Sequence, residues 1–223
     1  MDANIIYYIL LSILDSFFII VLGLRVYRLP VFDYIKELSL IVIIAAVSSY
    51  LVRVHFKIPS YDVAIQFIIY TLGLRYLINY RVRESLIITS VGYLSFIAVQ
   101  FIVYPILLWS GLVSVEDAQS LKELGTYFIQ LSTNFISLIL LIIFNQYKIG
   151  YTFIPAPPHD HYIKPKKRKI ELLINIAVIL AIIVLFKNLF WLINVNNHLS
   201  VIMPTIFGSL AILIFFSHRR EQN

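Results

Sequence analysis

The chain has 223 residues, of which 60% are hydrophobic and 13% charged, with a formal net charge of +6. A mean hydropathy of +0.87 excludes an ordinary soluble domain, in which about a quarter of the residues are charged. The absence of cysteine excludes thiol nucleophiles, iron–sulfur clusters, disulfides and cysteine-ligated zinc in one step.

Seven apolar stretches run at about 4–24, 35–52, 62–80, 84–108, 125–147, 170–193 and 199–217, and most reach the ~20 residues that cross a hydrocarbon core. The expected fold is all-α, a polytopic membrane protein forming one domain of about seven transmembrane helices. The first stretch reads as a true span: Met1, Asp2, Ala3 and Asn4 supply no basic region, and Arg25 and Arg28 stand where a signal peptide would be cleaved. Asp15 lies near its mid-depth, where a carboxyl is costly unless it is protonated or faces another helix or a wet cavity. Pro30 closes the segment. In the second stretch, Ala45, Ala46, Ser48 and Ser49 permit close helix approach.

Pro59, Ser60 and Asp62 look like the start of the third helix, with Ser60 or Asp62 as the cap. The fourth stretch ends at Trp109, an interfacial anchor, and Pro105 is expected to kink it. Residues 114–124 are the most polar outer segment: Ser114 precedes Glu116 and Asp117, and Val115, Ala118, Leu121 and Leu124 recur at helical spacing, which predicts a short amphipathic surface helix. The fifth stretch is the most hydrophilic, with Gln130, Ser132, Thr133, Asn134 and Asn145, and is expected to face its neighbours. The loop 148–169 carries four of the eight prolines and ends in Lys164, Lys166, Lys167, Arg168 and Lys169, a run suited to lipid headgroups or a docking partner.

The basic residues sort by loop. The loops after the first, third and fifth stretches, together with the tail, hold fourteen of the 18 lysines and arginines. Arg53, Lys57, Lys122 and Lys187 fall on the other face. The positive-inside rule then places the N-terminus outside and the C-terminus in the cytoplasm of a cell-membrane protein. The basic excess is topological, and no nucleic acid is expected as a partner.

Catalytic and metal-binding patterns are sparse. His159, Asp160 and His161 form one cluster of metal-ligand types, but no third ligand is near in sequence, so neither metal nor cofactor is expected. There is no H-E-x-x-H helix, and no second buried aspartate is expected opposite Asp15, so intramembrane hydrolysis lacks its chemistry. The polar set Asp15, Gln66, Gln100, Gln130 and Asn134 either lines a path or ties helices together. Of these, an acid at mid-depth points most directly to function.

The run Leu74, Arg75, Tyr76, Leu77, then Arg83, Glu84, Ser85, Leu86, Ile87 and Gly92, Tyr93, Leu94, set in this layout, resembles the membrane-sensing region of peptide-responsive, GHKL-type histidine kinases of the accessory-gene-regulator type. That resemblance implies an extracellular peptide ligand and a signalling role. The residues after Arg220 are too few for a phosphoacceptor helix or an ATP-binding domain, so the kinase activity is not carried over. The leading expectation is a non-enzymatic sensor that binds a peptide or small-molecule ligand through Asp15, Trp109, Glu116, Asp117, Gln130, Asn134 and the 194–198 turn. It would signal to a cytoplasmic kinase or another membrane subunit. The alternative is a small transporter, or a membrane subunit of one, with Asp15 as its intramembrane acid.

Overall fold

A computed structural model describes residues 3–114, 124–157, 168–194 and 199–222, and these form helices joined by turns. The helices are α1 (Ala3–Val26), α2 (Ile35–Tyr50), α3 (Asp62–Tyr76), α4 (Val82–Trp109), α5 (Leu124–Gln146), α6 (Arg168–Asn194) and α7 (Leu199–Glu221). A π turn, Leu51–His55, extends α2, and a 3-10 turn, Pro59–Tyr61, leads into α3. Six segments are long and apolar enough to cross a membrane: Ile6–Val26, Phe32–His55, Val82–Trp109, Gly125–Gln146, Lys169–Lys187 and Val201–Glu221.

The third stretch differs from its expected length. The helix α3 has 15 residues, about 22 Å of rise, against ~30 Å of hydrocarbon. Its apolar run continues through Ile78 and Tyr80, but Asn79 takes a left-handed φ of 69° that stops the helix, and both neighbours pack into the core as turn residues. The expected cap is also corrected, since Tyr61 is the N-cap and makes no side-chain cap bond. The Asp62 carboxylate is held elsewhere. Beyond it, α4 continues as helix through Pro105.

The helix ends reuse the basic residues. At the end of α1 the amide of Leu29 donates to the carbonyl of Leu24 and that of Arg28 to Arg25, with Arg28 at φ 50°. This is the Schellman pattern with arginine where glycine is usual. Lys148, also at φ 50°, follows α5 in the same way, with Ile149 donating to Phe144. Cations in the last turn complement the negative end of the helix dipole.

The two central helices are α1 and α4, whose apolar windows are 61% and 72% buried, against 39% for α2 and 22%, 28% and 28% for α5, α6 and α7. They cross in close contact: Gly23 lies against the Ile88 carbonyl and Gly92 against that of Ile19, so the pair runs antiparallel. Ile20, Leu22, Leu24, Ile87, Ile88 and Leu94 fill the core around this crossing. The peripheral helices are apolar outward as well, with Phe135, Ile142, Ile179 and Ile183 exposed at mid-helix. That inside-and-outside apolar pattern suits lipid as the surrounding solvent.

The segments following α1, α3 and α5 meet the start of α6 and the end of α7 at one end of the bundle. Tyr27 Oη and Ser217 Oγ are 3.2 Å apart, and Tyr34 donates to the Pro157 carbonyl at 2.6 Å while its ring lies against Tyr80. Glu171 takes Arg220 at 3.1 Å and Arg83 at 3.5 Å, and Arg83 also donates to Asn175. The amide of Thr152 donates to Glu221 at 2.9 Å. Burial pushes the Tyr27 phenol above its ordinary range, so it stays a neutral hydrogen-bonding group.

Candidate functional site

Two polar groups meet inside the bundle. In the first, Asn134 Nδ2 of α5 donates to Asp15 Oδ1 of α1 at 2.7 Å. The two residues are 119 positions apart, and the contact joins two members of the polar set that the sequence singles out. The Asn134 side chain is 4% exposed, and its Oδ1 has no hydrogen-bond partner among the described residues. Thr133, next to it, spends its hydroxyl on the Ile129 carbonyl.

The second group was not anticipated. The Arg53 guanidinium, carried inward on the π turn, meets Asp62 Oδ2 at 2.6 Å, and the Asp62 side chain is fully buried. Gln66 Nε2 donates to both Asp62 oxygens, at 3.2 and 3.1 Å. Gln66 Oε1 then accepts from Tyr93 at 2.7 Å and from Tyr70 at 3.2 Å. The side chain is thus a relay with its amide facing the acid and its carbonyl facing two phenols. A second buried aspartate therefore does exist, contrary to expectation, although Arg53 and Gln66 occupy it.

The groups adjoin. Ser16, beside Asp15, lies against the Tyr70 hydroxyl, which also donates to Gln66. Five helices, α1 to α5, thus contribute to one polar region within an apolar bundle. The Arg53 guanidinium is bonded to Asp62 there. Asp15 keeps a neutral amide as its hydrogen-bond partner. Because Asp15 and the Asn134 carbonyl are acceptors, a bound group at this point must bring donors: a proton, an ammonium or a similar cationic head.

The remaining expected site residues are not gathered here. Gln130 and Gln100 are half-buried on α5 and α4 and make no side-chain hydrogen bond among the described residues. Trp109 is 92% exposed at the end of α4, about 20 Å along the helix from the level of Asp15. Glu116 and Asp117, with the amphipathic helix expected at 114–124, lie outside the described residues, as do the 195–198 turn, the 159–161 cluster, Lys164, Lys166, Lys167 and the side chain of Arg168. Lys169 stands exposed at the start of α6. No group of metal-ligand side chains forms among the described residues.

The sequence did offer a signal for the missed pair. Arg53 stands on the face that is otherwise poor in cations, and a charge placed against that distribution needs a local reason. Asp62, nine residues on, supplies it. Comparison with protein-family models, curated proteins and solved structures returned no match.

Proposed function

We propose that this chain is a non-enzymatic, multi-pass protein of the cell membrane with seven helical crossings, its N-terminus outside and its C-terminus cytoplasmic. It binds an extracellular ligand in the polar region around Asp15 and passes the signal to a cytoplasmic partner, a kinase or another membrane subunit. The observation that carries this reading is the Asp15–Asn134 contact on the helix whose far end holds the tail. One helix, α1, bears Asp15 at mid-depth and Gly23 in the central crossing, and Tyr27, the residue that follows it, stands against Ser217 of α7. A ligand that re-pairs Asp15 therefore acts on a rigid element already bonded to the last helix. The clustering of the basic segments at one end supports the orientation. The seventh crossing is α3, short because the turn at Asn79 ends it.

The test exploits the absence of native cysteine. Cysteines at positions 27 and 217 report the α1–α7 contact by disulfide formation in membranes. Peptides encoded beside the gene are expected to change the crosslinking rate, and Asp15→Asn to abolish that change. A rate unaltered by every peptide and by Asp15→Asn would refute signalling through α1.

One observation favours a second reading, a proton-coupled transporter: the buried Asp15 is held by an amide and pairs with no cation among the described residues. Proteoliposomes carrying a pH-sensitive dye distinguish the two. Uptake coupled to proton entry and lost in Asp15→Asn favours transport over sensing.

A further inference from the structure

An apolar groove runs between α6 and α7, lined by Leu173, Ala177 and Leu180 on one side and Ala211, Ile212 and Phe215 on the other. It opens where Ala177 and Ala211 leave space between bulkier neighbours, and its walls are almost wholly apolar. From Leu173 to Leu180 it extends about 10 Å along the helix, roughly two-thirds of the ~15 Å depth of one leaflet.

The mouth of the groove is basic. The Arg219 guanidinium lies 5.3 Å from the centroid of the Phe215 ring, so a lining residue and a cation are stacked at the edge. Lys169 is one turn before Leu173 on the same face of α6 and is exposed. Of the nearby carboxylates, Glu171 is held by both Arg220 and Arg83, and Glu221 accepts from the amide and the hydroxyl of Thr152. An apolar slot that ends in two cations has the amphipathic form of one ligand class.

We infer that the α6–α7 groove seats an acyl chain of an anionic phospholipid whose phosphodiester lies against Arg219 and Lys169. This does not rest on the signalling reading. The chain supplies apolar contact along Ala177 and Ala211, and the cations select the headgroup by charge. Because the groove adjoins the Arg83–Glu171–Arg220 group and the end of α7, a lipid there braces the same end of the bundle that holds Ser217.

The test is native mass spectrometry of the full chain, released from detergent containing equal phosphatidylglycerol and phosphatidylcholine. The wild type is expected to retain phosphatidylglycerol preferentially. Arg219→Ala and Lys169→Ala should each reduce that preference about fivefold, the worth of one cation at a headgroup. Lys36→Ala removes an equal charge elsewhere at the same end of the bundle and should leave the preference unchanged. Ala211→Phe fills the slot and should lower retention of both lipids with the cations intact. Glycerol 3-phosphate, a headgroup without chains, should not bind. Equal retention of the two lipids by the wild type overturns the proposal without any variant, as does an equal loss in Lys36→Ala. Unchanged retention in Ala211→Phe, or dimers that carry no lipid, would assign the groove to another occupant.

Discussion

Replacing Gly92 with alanine tests the central crossing directly. A Cβ at Gly92 would stand 2.2 Å from the Ile19 carbonyl oxygen, 3.2 Å from the Gly23 nitrogen and 3.3 Å from its Cα. All three atoms are backbone, so no rotamer change relieves the contact, and α1 and α4 must part by about 1 Å to restore an ordinary separation. Overpacking of this kind costs about 1–3 kcal/mol, against which alanine regains about 1 kcal/mol of helix propensity. The net expectation is a loss of up to about 2 kcal/mol, and Gly23→Ala, facing the Ile88 carbonyl, should behave alike. Gly208 is the control: it also lies in a helix, yet a Cβ there meets nothing within 4 Å, so Gly208→Ala should gain about 0.5–1 kcal/mol. Sodium dodecyl sulfate titration from mild-detergent micelles, followed by circular dichroism, measures all three. The two crossing variants should also combine non-additively, since one separation accommodates both. If Gly92→Ala proves as stable as Gly208→Ala, the close approach of α1 and α4 is wrong.

Removing Arg53 should cost about 3 kcal/mol, because Arg53→Ala strands the buried Asp62 carboxylate, and Arg53→Ala/Asp62→Asn should recover part of that loss; strict additivity in the double-mutant cycle would deny the pair. Tyr93→Phe deletes a 2.7 Å bond to Gln66 and should cost about 1 kcal/mol, whereas Thr71→Val, which loses only a 3.5 Å contact to Thr89, should be nearly neutral; the same titration showing the reverse order would contradict the relay. Asp15→Asn should hold stability within about 1 kcal/mol, since an amide can still hydrogen-bond Asn134, while removing the ligand response or proton coupling; a response that survives the substitution would take Asp15 out of the mechanism.

Those expectations divide into what a linear sequence reveals and what it hides. Hydropathy and length are local properties, and they located α1, α5 and α7 to within a few residues. The same criterion overextended the third stretch, because Ile78 and Tyr80 are apolar for packing in a turn and not for exposure to lipid. Hydropathy counts both kinds of burial alike. The Asp15–Asn134 contact was half legible: each residue is costly alone in an apolar span, so each needed a partner, but nothing local says which. The Arg53–Asp62 pair was hidden by position. Arg53 sits in a segment that reads as outer loop and Asp62 reads as a helix cap, and only the π turn at Leu51–His55 brings the guanidinium onto the start of α3.

The residues that carry the likeness to peptide-responsive sensors acquire local causes in this fold. Gly92 is required by the Ile19 carbonyl, Tyr93 by Gln66, and Arg83 by Glu171 and Asn175, while Arg75 donates to the Tyr80 carbonyl to close the turn after α3. A bundle with this crossing and this short third helix demands such residues whatever it binds. The texture of that segment is therefore accounted for by packing, and the evidence for function moves to the residues that packing leaves incomplete. Asn134 Oδ1 is fully enclosed and unbonded among the described residues, beside a carboxyl whose one amide partner is Asn134 itself. Leaving a buried acceptor unpaired costs about 1–3 kcal/mol. Ser90 and Ser137 also carry an unbonded buried hydroxyl among the described residues, so it is the ionisable Asp15 beside Asn134, rather than the open acceptor alone, that sets this point apart.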